Sequence, residues 1–173
     1  MDLLDFSGED MYFDEPVSPD VEALLLDAAH RYGEESAERS LLRAYFIEPN
    51  HLTVLVALYR YFYYQHRYRE ALITADRAIL ITAQRLDLPA SWRDLSESNL
   101  AQSALTSMSL TRFLLFALKG SSYLLLRLGE PVEALERLET LVLIDTSNRL
   151  GLQDLLQLAR SAAAEHQATA AER

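Results

Sequence analysis

The side chains that could perform chemistry are scattered along the chain instead of grouped. The histidines are few and lie far apart in sequence: His30, His51, His66 and His166. The chain has no cysteine, and it contains no glycine-rich phosphate loop, no Gly-x-Ser-x-Gly motif and no His-Glu-x-x-His motif. Acids such as Glu133 and Glu136 recur at helical spacing, which is typical of a solvated helix face that pairs with Arg137. The sequence therefore predicts no enzyme activity, no metal site and no cofactor.

A dense aromatic block offers binding chemistry instead. Six aromatic side chains fall within ten residues: Tyr59, Tyr61, Phe62, Tyr63, Tyr64 and Tyr68. Two sets of residues each share a helix face by their spacing: Arg60, Tyr63 and Tyr64, and, four residues apart, Lys119, Tyr123 and Arg127. Tyrosine supplies a large contact area, and arginine grips carboxylates through two hydrogen bonds. The alternative is that the tyrosines simply pack against residues 87–114.

The charge of the chain is acidic and unevenly spread. Its 173 residues are the length of one domain, and their net charge is −10, from 26 acidic and 16 basic residues. This balance argues against binding to nucleic acid or to an anionic membrane surface. Seven of the acids lie in residues 1–20, which contain no base. Residues 1–17 are predicted to form a disordered acidic arm, with the alternative that its interleaved apolar residues dock as a peptide on the chain itself or on a partner.

The sequence shows no membrane or export signal. The start Met1–Asp5 lacks the basic and apolar regions of a signal peptide. No run of 18 apolar residues occurs, because Arg60 and Lys119 interrupt the two most apolar segments. We therefore expect a cytoplasmic protein.

Helical periodicity runs through most of the chain and predicts an all-α fold. Ser18-Pro19-Asp20 is typical of a helix start, with a capping serine and proline at the first helical position. The predicted helices cover residues 18–32, 35–47, 51–65, 68–86, 100–128 with a break near 107–109, 132–144 and 149–166. An irregular stretch surrounds Trp92, and Asn99 followed by Gln102 resembles a capping box.

The helices repeat along the chain. Two offsets align the same residue types: 34 residues pairs Ala37 with Ala71 and Ala44 with Ala78, and 63 residues pairs Glu70-Ala71-Leu72 with Glu133-Ala134-Leu135. In these features the chain resembles the tetratricopeptide-repeat (TPR) family, whose repeat length is about 34 residues. Pro49 matches the proline that ends a TPR unit, whereas the aromatic–glycine pair of the family's first helix is missing from the first two units.

The resemblance implies a short antiparallel helical-repeat solenoid. Its parts would be the arm at 1–17, a TPR-like domain at 18–167 and a frayed tail at 168–173. Within the domain, repeat units would span about 20–50, 51–86 and 115–147, with an insertion at 87–114 and a capping helix at 148–167. The resemblance also implies a concave aromatic and cationic groove that binds a protein or peptide with an acidic segment. Its predicted partner-binding residues are Arg60, Tyr63, Tyr64, Lys119, Tyr123 and Arg127.

Three functions are compatible with this architecture. The first is a non-catalytic adaptor. Leu42–Phe46 and Val56–Tyr64 are also similar to small TPR proteins associated with bacterial nitrogen-fixation systems, which implies an accessory role in assembling or regulating that machinery. The second is a secretion-type TPR chaperone. The third is a structural homodimer that uses the insertion around Trp92 as its interface.

Overall fold

The computed structural model describes residues 15–146 and 148–171, and every regular element in that part of the chain is helical. The helices are α1 (Pro19–His30), α2 (Glu35–Ile47), α3 (Leu52–Tyr64), α4 (Tyr68–Arg85), α5 (Glu97–Thr106), α6 (Met108–Arg127), α7 (Pro131–Ile144), α8 (Gln153–Ala171) and a short 3-10 helix at Trp92–Asp94. The all-α prediction is thus confirmed. None of these helices is both long and apolar enough to cross a lipid bilayer. Residues 1–14 of the predicted arm and 172–173 of the predicted tail lie outside the described residues.

Most helices pack against their neighbour in sequence. Helix α1 contacts α2, and the chain of contacts continues through α3 and α4 to α6, α7 and α8. Helix α5 and the 3-10 helix do not take part in this succession and lie against α6 and α7. The short turns between α1 and α2, α3 and α4, and α6 and α7 make each of these pairs a helical hairpin.

Small buried residues mark the second helix of each hairpin. Ala37, Ala71 and Ala134 are completely buried near the starts of α2, α4 and α7, and Ala44 and Ala78 are buried about two turns later in α2 and α4. Side chains of this size let two helix backbones approach closely, while leucine and tyrosine fill the space around them. The alanines aligned by the sequence repeat are therefore all buried within the second helices of these hairpins.

The turns that end α3 and α6 have the same backbone geometry, 63 residues apart. His66 and Gly129 both adopt left-handed conformations, with φ of +57° and +76°. In each turn the N–H of the next residue donates to the carbonyl five residues earlier at 2.9 Å. This is the hydrogen bond of a Schellman helix end, which reverses the chain at the same point of both hairpins.

The segment between α4 and α6, which contains the 3-10 helix and α5, differs in part from the sequence prediction. The predicted break is at Ser107, which ends α5 and accepts a hydrogen bond from the Leu110 N–H at the start of α6. The capping box was predicted one turn too late. The side chain of Ser96 accepts from the Asn99 N–H (3.3 Å) and the Asn99 side chain accepts from the Ser96 N–H (2.9 Å), because a serine one turn earlier supplies the better cap.

Helix α8 begins later and ends later than its sequence indicates. The carboxylate of Asp145 accepts hydrogen bonds from the N–H groups of Arg149 (2.9 Å) and Leu150 (2.8 Å). Asn148 and Gly151 both have positive φ. These features hold a turn where a helix was predicted. The helix then continues through Ala171, into the segment that was predicted to fray.

Arg137 is buried, contrary to its predicted place on a solvated helix face. Its residue is 4% exposed, and its guanidinium donates to Asp76 on α4 (2.6 Å), to Ser121 on α6 (2.8 Å) and to Glu133 (2.9 Å). The guanidinium also lies 5.4 Å from the ring centre of Trp92. The prediction was wrong because α6 and the 3-10 helix pack against α7 and the carboxylate of Asp76 on α4 reaches the guanidinium, whereas the pairing with Glu133 occurs as predicted.

Candidate functional site

Tyrosine rings from three helices meet beside the turn between α3 and α4. Tyr63 lies at the centre: its ring stacks on Tyr59 at 5.9 Å and meets the edges of Tyr64 at 5.4 Å and Tyr68 at 6.1 Å. Across the helix pair, Tyr123 of α6 approaches Tyr63 at 6.4 Å. We call these five residues the tyrosine cluster. Edge and stacked contacts at these distances stabilise aromatic groups beyond their buried area.

Arg127 lies over the tyrosine cluster. Its guanidinium carbon is 4.7 Å from the ring centre of Tyr68 and 5.9 Å from that of Tyr123, and Nη1 donates to the Tyr123 hydroxyl at 3.0 Å. This hydrogen bond raises the pKa of Arg127 above its already high ordinary value. The side chain is exposed, and no carboxylate among residues 15–146 and 148–171 lies within ion-pair distance of it. An oriented, permanently charged guanidinium of this kind can bind a carboxylate or phosphate through two hydrogen bonds.

A small apolar pocket lies next to the tyrosine cluster, between α3, α4 and α6. Its volume is about 20 Å³, and all of its lining residues except Val56 are buried. The residues that line it come from three helices: Leu55, Val56 and Tyr59 of α3, Ala75 and Ala78 of α4, and Phe113 and Ala117 of α6. The small alanines of α4 leave this space unfilled. Tyr59, which lines this α3–α6 pocket, also stacks on Tyr63 of the tyrosine cluster.

Of the two remaining predicted residues of α3, Tyr64 contacts the first hairpin through its ring and Arg60 through its backbone carbonyl. The Tyr32 hydroxyl donates to the carbonyl of Arg60 at 3.3 Å, and the Tyr32 ring meets that of Tyr64 at 6.5 Å. Tyr64 is about half exposed and also contacts Tyr63. The structure therefore brings Tyr63, Tyr64, Tyr123 and Arg127 together, with Arg60 one turn along α3.

Lys119 does not belong to this surface, which corrects the sequence prediction. It is buried, and its ammonium donates to the carbonyl of Leu150 in the turn before α8. Burial lowers the pKa of Lys119, and the negative charge of Asp145 opposes that shift only in part. The physical reason is helix geometry: each four-residue step drifts by about 40°, so Lys119 and Arg127 are separated by about 80° around α6.

Three contributors to the surface were missed as site residues. Tyr32 and Tyr68 join the ring contacts, and the hydroxyl of Tyr68 lies 2.9 Å from Nδ1 of His66. Tyr68 belonged to the aromatic block, and His66 aligns with Gly129 at the 63-residue offset, which was a usable signal for a left-handed turn. Within residues 15–146 and 148–171, no group of three or more histidine and acidic side chains could hold a metal ion.

Comparisons with known proteins give one relative of known genomic position. No protein-family model matches the chain, and no solved structure is significantly similar to it. The chain is 46% identical over 165 residues to an uncharacterized 19.8 kDa protein in the nifW 5′ region of Azotobacter chroococcum mcd 1. The alignment covers 95% of this chain and 92% of the relative. The chain therefore belongs to the same family as this Azotobacter protein.

Proposed function

We propose that the protein is a non-catalytic, TPR-like adaptor that acts in the cytoplasm. It binds a protein segment that carries an acidic residue beside apolar ones. The apolar part packs on the tyrosine cluster, where Tyr64 is about half exposed, and the acidic group binds Arg127 at the edge of that cluster. The observation that carries this proposal is the exposed guanidinium of Arg127, oriented by Tyr68 and Tyr123 at the edge of the tyrosine cluster.

The composition of the surface suits protein recognition. Tyrosine and arginine are enriched among the residues that dominate binding energy, because they combine large area with directional polar groups. The contacts of Tyr63 with its four neighbouring rings hold the cluster in one arrangement before a partner arrives. A preorganised surface loses little conformational entropy on binding, so more of the contact energy appears as affinity.

The TPR-like part of the proposal is supported by equivalent features of the hairpins. The aligned alanines Ala37, Ala71 and Ala134 are all buried, and His66 and Gly129 end their helices with the same hydrogen bond. One helical hairpin cannot bury both of its apolar faces, so stacked hairpins stabilise one another and leave one face available for a partner.

The process in which the adaptor acts is inferred from the relative. The relative is described as a protein in the nifW 5′ region, and nif designates nitrogen-fixation genes. We propose that this chain is an accessory factor in the assembly or regulation of the nitrogen-fixation machinery. The partner would then be a protein of that machinery with an acidic segment.

The test is comparative affinity capture followed by calorimetry. Wild type, Arg127→Ala and the control Arg160→Ala are immobilised and exposed to extract from nitrogen-fixing host cells. Arg160 lies on the exposed side of α8, where it pairs with Glu139 at 3.6 Å. A charged hydrogen bond contributes about 1.5–3 kcal/mol. A captured partner should therefore bind Arg127→Ala at least about tenfold more weakly than wild type and the control.

Two outcomes would contradict the proposal. Equal affinity for all three variants would place the binding surface elsewhere. A wild-type protein that retains no more than uncoated beads would argue against an adaptor altogether. Circular dichroism of each variant ensures that a loss of binding does not reflect a loss of fold.

A further inference from the structure

Helix α2 has an exposed face on which basic and apolar side chains lie together. Its members are Arg39, Arg43, Phe46 and Ile47, whose spacing places them on one side of the helix. We call these four residues the α2 face. Phe46 is 79% exposed and Ile47 is 51% exposed. Neither arginine forms an ion pair with any residue in the ranges 15–146 and 148–171. An apolar patch beside two such cations, on a chain of net charge −10, indicates a surface that an acidic and apolar segment covers.

The first described residues of the chain lie beside the end of this helix. The N–H of Ser18 donates to the carboxylate of Glu48 at 3.0 Å, and Glu48 directly follows α2. Glu15 pairs with Arg85, whose guanidinium also donates to the carbonyl of Asn50 at 3.0 Å. This segment is therefore fixed to the turn between α2 and α3. The arm residues that precede it start at the end of α2 where the apolar members of the α2 face lie.

The arm is long enough to follow the α2 face. Fourteen residues precede Glu15. Fully extended, they span at most about 46–50 Å. The α2 face runs from Ile47 to Arg39, a helical rise of about 12 Å. About half of the arm is therefore enough to reach the far end of the face, and no part of it has to be fully extended.

The order of side chains along the arm matches the order along the α2 face. Away from the junction, the face presents its two apolar residues first and its two arginines next. Read in the same direction, the arm presents three apolar residues and then two acids: Phe13, Tyr12 and Met11, followed by Asp10 and Glu9. Residues 1–14 contain five acids and no base. One register therefore satisfies both the charged pairs and the apolar contacts.

We propose that residues 9–13 of the arm dock on the α2 face of their own chain. The apolar triplet 11–13 covers the apolar part of the face, and the acidic pair 9–10 binds its two arginines. A tethered segment acts at an effective concentration of the order of millimolar, so individually weak contacts are enough to hold it. The docked arm shields Phe46 from other proteins. The tyrosine cluster lies on α3, α4 and α6, so this inference does not rest on the proposed function.

The test uses the full chain, which has no cysteine of its own. A nitroxide attached to Ser7→Cys broadens the NMR signals of the amides close to it. We expect the signals of Ser40 and Leu42 on α2 to be lost and that of Leu158 on α8 to be kept. Equal intensities at these three positions would overturn the proposal.

Matched variants of the labelled chain separate docking from a general attraction between charges. Arg39→Glu/Arg43→Glu reverses the charge of the α2 face, and Arg149→Glu/Arg160→Glu makes the same change at two exposed residues before and within α8. The first variant should recover the α2 signals, and the second should not. Phe46→Ser should also recover them, because it removes the apolar contact at a side chain that is not part of the core.

Equal behaviour of the two arginine variants, or no recovery in Phe46→Ser, would overturn the docking. A mixture of isotope-labelled chain without nitroxide and unlabelled chain with nitroxide tests whether the arm of a second copy occupies the face. Broadening of the α2 signals in that mixture would overturn docking within one chain. The dispersion of the amide spectrum reports in each case whether the helices are folded. No partner is present in this experiment, so its failure would leave the Arg127 affinity test unaffected.

Discussion

Arg137 on α7 and Asp76 on α4 form a two-point ion pair across 61 residues of sequence. Nη1 lies 2.6 Å from Oδ1 of the carboxylate and Nη2 lies 3.3 Å from Oδ2. The same guanidinium donates to Ser121 on α6, so one buried side chain connects three helices that belong to two hairpins. The guanidinium also contacts the ring of Trp92, so the same side chain holds the segment between α4 and α6 against α7.

Removing the carboxylate from this pair should destabilise the fold. Asp76→Ala leaves the buried guanidinium with Glu133 and Ser121 alone, and we expect the free energy of unfolding to fall by about 1–3 kcal/mol. The carboxylate of Asp76 is 44% exposed, which keeps the loss below that of a fully buried pair. Chemical denaturation measures it. Glu139→Ala, on the outer side of α7, is the control and should change stability by less than about 0.5 kcal/mol.

Enlarging the buried alanines should strain the helix contacts. Ala71→Leu and Ala134→Leu each insert three carbon atoms where the structure leaves no exposed surface, and overpacking of this kind costs about 1–3 kcal/mol. Ala101→Leu on the exposed side of α5 provides the matched substitution. Denaturation curves in which all three variants coincide with wild type would show that the repeat register is wrong.

Substitutions at Gly129 test the left-handed backbone conformation of the turn that ends α6. A β-carbon at this position would meet nothing within 4 Å, so any cost of substitution arises from the left-handed backbone and not from a clash. Gly129→Ala should therefore lower stability by about 1–2 kcal/mol. Gly129→Asn should cost less, because asparagine tolerates this conformation. Thermal unfolding in which alanine and asparagine are equivalent would contradict the argument.

The burial of Lys119 predicts that the free energy of unfolding depends on pH. Burial lowers its pKa in the folded chain, whereas in the unfolded chain it returns to its ordinary value of 10.5. Between these two values the unfolded chain binds more protons, so wild-type stability relative to Lys119→Met should rise as pH increases toward 10.5. Urea denaturation of both proteins at several pH values from 7 upward measures the difference. The comparison isolates Lys119 because the tyrosines, which titrate in the same range of pH, are common to both proteins. A difference that is constant or falls with pH would contradict the burial of a charged Lys119.

The sequence identified several residues of the candidate site correctly, but it also included one residue that does not belong to the site. Tyr63, Tyr123 and Arg127 were singled out by residue type and spacing, and the structure places them in contact. Lys119 was grouped with them by the same spacing and is buried instead. A four-residue period approximates the helical repeat over one turn and fails over two, since the angular error accumulates.

The sequence by itself determined the helices, because their signals are local. Periodicity, the cap at Ser107 and the proline starts of α1 and α7 all act within a turn or two of one another. Only the tertiary structure decided which charged side chains became buried. The environment of Lys119 is set by a carbonyl 31 residues away and that of Arg137 by a carboxylate 61 residues away. The α3–α6 pocket likewise exists because α6 packs on α4, although residues 86–107 separate the two helices in sequence. Contacts at such separations depend on how hairpins stack, and no local pattern of residues encodes that arrangement.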